Sequence, residues 1–208
     1  MTVEPVVRLG QDSDASVVER SWDEPEAFAA LFDRHADSVY GYAARRLGAE
    51  AAEDVMAETF TTAFQQRFRY DTAQAGARPW LFGIATNLIS RHRRAEARRL
   101  KALSRLPPDA TGGRAEEAVA DRVAARVSAQ AVGRELAGAL ARLPARHRDV
   151  LLLVAWADLG YEEVARALGV PVGTVRSRLH RARGKVREAL GGSDPSALRE
   201  ESEESDDE

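Results

Sequence analysis

Throughout this chain apolar residues recur three or four apart, and no segment alternates apolar and polar with period two. In EAFAALFDRHADSVYGYAARRLG this spacing holds for Phe28, Leu31, Phe32, His35, Val39 and Tyr42, and Gly48 ends the run. AEAAEDVMAETFTTAFQQRF aligns Val55, Thr59 or Phe60, Ala63 or Phe64, and Phe68. After a loop, RYDTAQAGA, the stretch RPWLFGIATNLISRHRRAEARRLKAL reads as a third helix opening at Pro79. ELAGALARL, PARHRDVLLLVAWADL, YEEVARALG and PVGTVRSRLHRARGKVREAL then follow, separated by Pro or Gly. The expected fold class is therefore all-α, two small helical domains. The N-terminal GQDSDAS reads as a loop, with the first helix beginning near Trp22 or Asp23 and Pro25 early in it. PPDATGGRAEE, rich in Pro, Gly and small polar residues, reads as a linker, and no internal repeat suggests a solenoid.

Charge divides the chain in a second way. Residues 1–26 carry seven acids against two bases, and residues 191–208 carry eight against one. With a net charge of −3 overall, residues 27–190 hold +9. A basic body between acidic ends suits a polyanionic partner. The absence of cysteine excludes disulfides and thiolate metal sites within this chain. No apolar run approaches a membrane span, so no membrane insertion is expected, and the acidic N-terminus lacks a signal peptide's basic region. A cytoplasmic protein is the expectation.

The basic charge is densest in residues 171–190, with six basic residues and one acid. YEEVARALGVPVGTVRSRL has the layout of a helix-turn-helix: Val164, Ala165 and Leu168 inward, Gly169 at the turn, Val170 between the helices. On the second helix Val175, Leu179, Ala182 and Val186 form one apolar stripe, and Arg176, Ser177, His180 and Arg181 point away from it. A recognition helix projects its N-terminal half toward base edges in the major groove. Arg176 and Arg181 can donate bidentately to guanine, Ser177 and His180 add adaptable contacts, and Thr174, Arg178 and Lys185 suit phosphate.

The first half of the chain adds a different chemistry. Residues 78–106 carry eight basic residues and one acid, with Trp80 and Phe82 at the start and Phe60, Phe64, Phe68 and Tyr70 just before. Aromatics beside a basic helix suit single-stranded nucleic acid, where bases stack and Arg follows the backbone. Phe60, Phe64, Trp80 and Phe82 are expected in the core instead. Asn87 shares a helix with Arg91 and Arg94, one and two turns on, and its amide can read a base edge.

An enzyme is not indicated. The four histidines are scattered, without an HExxH, a phosphate-cradling glycine loop or a cysteine nucleophile. Asp54 and Glu58 have no suitably placed third ligand, so neither metal nor cofactor is expected. A stand-alone helix-turn-helix regulator would explain residues 133–190 but not the aromatic, basic N-terminal half.

Taken together, AEDVMAETFTTAFQQRFRYD, RPWLFGIATNLISRHRR and LARLPARHRDVLLLVAWADLGYEEVARALGVPVGTVRSRLHRAR resemble the extracytoplasmic-function (ECF, group IV) branch of bacterial sigma factors, over residues 27–104 and 133–190. Charge and composition set apart an acidic extension over 1–24 and an acidic tail, expected to be disordered, over 191–208. Between them the resemblance implies a sigma region 2-like domain over 25–105 that binds the clamp helices of core RNA polymerase and opens the −10 element, a linker over 106–130, and a region 4-like domain over 131–190 that binds the flap and reads the −35 element. By position Asp54, Val55, Met56 and Glu58 fall on the polymerase-binding helix. The loop from Arg69 to Arg78, with Phe68 at its edge, matches the one that captures a flipped non-template base, and Asn87, Arg91 and Arg94 fall to the −10 strand. Promoter DNA, both duplex and non-template single strand, and a restraining anti-sigma factor are the other implied partners. Ala57 stands where a glutamine is frequent, the capture loop is a few residues longer than usual, and the resemblance gives the charged tails no role.

Overall fold

The computed structural model describes residues 12–74, 76–103 and 130–191. Eight α-helices and no strand occur among them: α1 (Asp14–Arg20), α2 (Ala29–Leu47), α3 (Ala49–Gln66), α4 (Arg78–Leu103), α5 (Gln130–Arg142), α6 (Ala145–Ala155), α7 (Tyr161–Leu168) and α8 (Val172–Ala189). The all-α expectation is met. The first eleven residues, most of the expected linker and the acidic tail beyond Gly191 lie outside the described residues.

The chain becomes helical earlier than its sequence suggested. Where GQDSDAS reads as a loop, Ser13 caps α1 by accepting a hydrogen bond from the Ser16 N–H at 3.1 Å, and Val17 and Val18 are fully buried. A helix of two turns is too short to display periodicity, so its acidic flank dominated the reading. Pro25 then opens a 3-10 turn to Phe28 that leads into α2. Gly48, at φ 99°, ends α2 with a backbone conformation that side chains disfavour, and α3 begins at once.

The described residues form two compact units, one drawn from Met1–Arg94 and Leu153–Val172, the other from Ala95–Leu152 and Gly173–Glu208. In the first, Leu31, Val39, Tyr42, Leu81, Phe82 and Ile89 are enclosed. Edge-to-face aromatic pairs join α2 to α3 and α4: Phe32 with Phe60 at 5.0 Å and Tyr42 with Phe82 at 5.3 Å. Phe60 and Phe82 are core as expected, whereas Phe64 and Trp80 are half-buried. The Tyr42 hydroxyl lies 3.0 Å from Thr86 Oγ1 and accepts from Arg46 at 2.7 Å, so this buried hydroxyl is paired. In the same unit α4 meets α7 at Gly83, where a β-carbon would fall 2.5 Å from the Ala167 carbonyl oxygen, and Arg78 donates to the Ala157 carbonyl at 2.7 Å.

In the second unit Ala139 and Leu143 of the α5 end pack with Ala182 and Val186 of α8, and Leu140, Leu151 and Leu190 close around them. Burial of that stripe at helical spacing fixes which face of α8 is outward.

Candidate nucleic-acid and polymerase interfaces

The start of the helix-turn-helix is set by Glu163, whose Oε2 accepts from the Gly160 N–H at 2.8 Å. Its turn is set by Gly169 at φ 63°, with the Val170 N–H returning to the Ala165 carbonyl at 3.0 Å. Val164 and Ala165 are buried as expected, but Leu168 and Val170 are only half-buried. On α8 Val175, Leu179, Ala182 and Val186 are all buried, at most 6 % exposed. Arg176, Ser177, His180, Arg181 and Lys185 are exposed, while Thr174 and Arg178 are half-buried at the flanks. The Ser177 hydroxyl is spent on the Thr174 carbonyl at 3.0 Å. No carboxylate pairs with Arg176, Arg181 or Lys185 among the described residues, so within them this face is uniformly positive.

That charge reaches inward to a residue the sequence did not mark. His147 of α6 is 5 % exposed, and neither ring nitrogen has a hydrogen-bond partner among the described residues. Burial, followed by the charges of Arg146, Lys185, Arg181 and Arg178, pushes its pKa below the ordinary histidine value. The imidazole is therefore neutral at physiological pH.

On α4 Asn87, Arg91 and Arg94 are all exposed and aligned along one side, as their spacing requires. Arg91 lies 3.8 Å from Glu58 of α3, a pair so open to solvent that it adds little stability. Arg94 Nε donates to the Ser90 carbonyl at 3.1 Å. On α3 Asp54 and Glu58 are exposed and Met56 half-buried, which gives an acidic edge open to solvent. Val55 is 3 % exposed and belongs to the core, so it supports that edge from within rather than presenting itself to a partner.

The loop after α3 is ordered by its own side chains. Tyr70 is 8 % exposed, packs 5.0 Å from the Trp80 ring, and donates its hydroxyl to the Gln74 carbonyl at 2.6 Å. Burial, with the nearby charges of Asp14 and Asp71, raises its pKa to about 12. Tyr70 is thus a brace and not the exposed aromatic its neighbours suggested. Phe68 is the opposite, 60 % exposed at the loop's edge.

Both ends of this loop are tied to α1 and the turn after it. Asp14 Oδ2 accepts from the Ala77 N–H at 2.9 Å and lies 2.8 Å from His35 Nε2, and Oδ1 accepts from Arg34 at 3.0 Å. Burial alone would raise the Asp14 pKa. The His35 and Ala77 hydrogen bonds, with the charge of His35 and the Arg34 bond, outweigh it and hold the carboxyl well below the usual range. At the other end Arg67 Nε donates to the Ser21 carbonyl at 3.1 Å, and the Trp22 indole donates to the Arg67 carbonyl at 3.3 Å. Sequence reasoning missed Asp14, Trp22 and Arg67, because the partners that tie them to this loop and to α2 lie 20 to 63 positions away.

Two family models match the chain in the same order: Sigma-70 region 2 over residues 31–99 and Sigma-70 region 4 over residues 133–186. RNA polymerase sigma factor CarQ of Myxococcus xanthus is 34% identical over 172 residues, covering 80% of this chain and 90% of that protein. This chain belongs to the ECF branch of the sigma-70 family. The ECF sigma factor SigE of Mycolicibacterium smegmatis is 37% identical over 172 residues, 82% of this chain and 62% of that longer protein. Among solved structures, CnrH in complex with the cytosolic domain of CnrY aligns with a TM-score of 0.61 at 25% identity, over 88% of this chain and 100% of that one. RpoE of Bartonella quintana, solved with the anti-sigma factor NepR, aligns at 0.57 and 20% identity over 80% of this chain and 98% of that one, a likeness of fold. As an ECF sigma factor the chain directs RNA polymerase to promoters. Among its described residues no helix is long and apolar enough to cross a membrane.

Proposed function

We propose the following division of work on this sigma factor. α8 enters the major groove of the −35 element, with Arg176 and Arg181 on guanines, Ser177 and His180 beside them, and Thr174, Arg178 and Lys185 on phosphate. Asn87, Arg91, Arg94 and Phe68 act on the non-template strand of the −10 element as it opens. Asp54, Met56 and Glu58 form the edge that meets the polymerase clamp helices, and residues 131–190 also meet the flap. The observation that supports this reading is that one chain exposes two basic surfaces of different make, a helix face without carboxylate partners among the described residues and an aromatic loop beside a basic helix.

The sigma factor performs no covalent step of its own, needs no metal or cofactor, and works in the cytoplasm with the polymerase. Because both CnrH and RpoE were solved with bound protein partners, an anti-sigma factor is the regulator expected here. The test is promoter-specific transcription by core polymerase with and without the chain. Transcripts that start at a defined site only when the chain is present support the reading. Duplex binding without any effect on polymerase would make the chain a stand-alone helix-turn-helix regulator.

A further inference from the structure

Trp22 and Phe68 form an aromatic pair on the surface of the first unit. Their ring centroids are 6.3 Å apart with the planes tilted by 33°, and they are 36 % and 60 % exposed. Large apolar groups left this open lose hydrophobic stabilisation unless something covers them in use. Neither ring is loose. The Arg67 guanidinium lies 4.0 Å over Phe64 and 4.3 Å over Phe68, its Nε is held by Ser21, and the Trp22 indole N–H is held by the Arg67 carbonyl. α1, which carries Trp22 into place, is fastened in turn by Asp14 through His35, Arg34 and Ala77.

We propose that Trp22, Phe68 and Arg67 together form a stacking platform for one unpaired base, so that the segment after α1 supplies part of the single-strand site. The proposal rests on the reading of the neighbouring loop as a receiver of non-template DNA. A base is the occupant that matches the surface. It is a flat apolar ring joined to an anion, and here a fixed aromatic pair stands beside Arg67 and the exposed Arg69. A helical peptide partner would need an apolar groove several residues long, whereas this pair is the size of one ring. Because every base has a π-face, the platform tolerates all four and adds affinity without choosing sequence.

The experiment uses the full chain bound to core polymerase and three fluorescent probes of equal length: a single-stranded oligo-dT, its abasic counterpart, and the matching duplex. The wild-type holoenzyme is expected to prefer oligo-dT over the abasic strand. Trp22→Ala should cut that preference by roughly ten-fold, with Trp22→Phe retaining most of it. Trp22→Leu, which keeps apolar bulk without a π-face, should behave like Trp22→Ala, while both variants keep the wild-type melting temperature and polymerase pull-down, which separates lost stacking from lost folding. Phe68→Ala should lower the preference as well. If Phe68→Ala lowers it while Trp22→Ala and Trp22→Leu do not, the loop reading stands and the platform is overturned. If the wild type itself does not distinguish oligo-dT from the abasic strand, both are overturned.

Discussion

The outward face of α8 and the loop around Phe68 both set positive charge beside apolar groups, yet they are built in opposite ways. On α8 the backbone is a regular helix, its apolar stripe is buried, and the exposed guanidiniums of Arg176 and Arg181 have no carboxylate partner among the described residues. Around Phe68 the backbone is a single 3-10 turn, Arg67–Arg69, that runs into a loop, the aromatic ring itself is exposed, and the neighbouring Arg67 is committed to carbonyls of Ser21 and Phe64. A duplex groove has a repeating shape that a straight helix can follow with no further support. An unpaired base has no such frame, so a protein that binds one has to supply it, and the frame available here is the set of hydrogen bonds from α1 and the turn after it to both ends of the loop.

The largest way to break this contrast is to remove the frame. Asp14→Ala leaves the Ala77 N–H and the Arg34 and His35 side chains without their shared acceptor. It should cost about 3 kcal/mol in denaturant unfolding. The wild-type contribution has a defined pH dependence. Because the folded-state pKa of Asp14 is depressed, the stabilisation is complete above about pH 4 and is withdrawn as pH falls further. The variant's unfolding curve should lack that part of the acid slope. On α8 the side chains proposed to bind DNA are themselves the sensitive points. Arg176→Ala or Arg181→Ala should each cost about 1 to 3 kcal/mol in duplex binding and relax preference at one −35 position, read by competition among single-base variants. Equal weakening on every sequence would make them phosphate contacts.

Smaller effects sharpen the same comparison. Asn87→Ala should slow transcription from duplex promoters several-fold, on the order of 1 kcal/mol, while pull-down of polymerase is unchanged. Loss of polymerase binding would make Asn87 structural. The smallest effect is expected at His147, a neutral imidazole enclosed behind the basic face. His147→Leu removes two buried nitrogens that have no hydrogen-bond partner among the described residues and should stabilise the protein by about 1 kcal/mol without altering DNA affinity. Its pKa is lowered by folding, so wild-type stability should decline as pH falls below about 6.5, where the unfolded chain takes up a proton that the folded chain refuses. The Leu variant should lose that decline, as followed by thermal melts from pH 7.5 to 5.

What could be read in advance divides along the same line. The helical class, the α8 stripe and the side of α4 that shows Asn87 follow from a 3.6-residue period, which depends on near neighbours alone. Val55 was misplaced because position beside Asp54 in a motif does not say that adjacent residues on a helix face different ways. α1 was missed because its buried pair, Val17 and Val18, is too short a signal to separate from an acidic, polar flank. Tyr70 and Phe68 are two positions apart and equally aromatic, and only the Gln74 carbonyl, which takes the Tyr70 hydroxyl, decides which one turns inward. His147 carries no sequence signal, since its isolation comes from packing and from charges on another helix.

The measurement that bears most directly on the division between the two surfaces is transcription by reconstituted holoenzyme on two forms of one promoter that it recognises, fully duplex and mismatched over the −10 element. With the −10 element already open, Phe68→Ala and Asn87→Ala holoenzymes should regain most of the wild-type rate. Arg176→Ala and Arg181→Ala should remain impaired on both forms, since opening does nothing for the −35 contact. If pre-opening restored both classes of variant equally, or neither, the assignment of α8 to duplex reading and of the Phe68 loop with α4 to the unpaired strand would be contradicted.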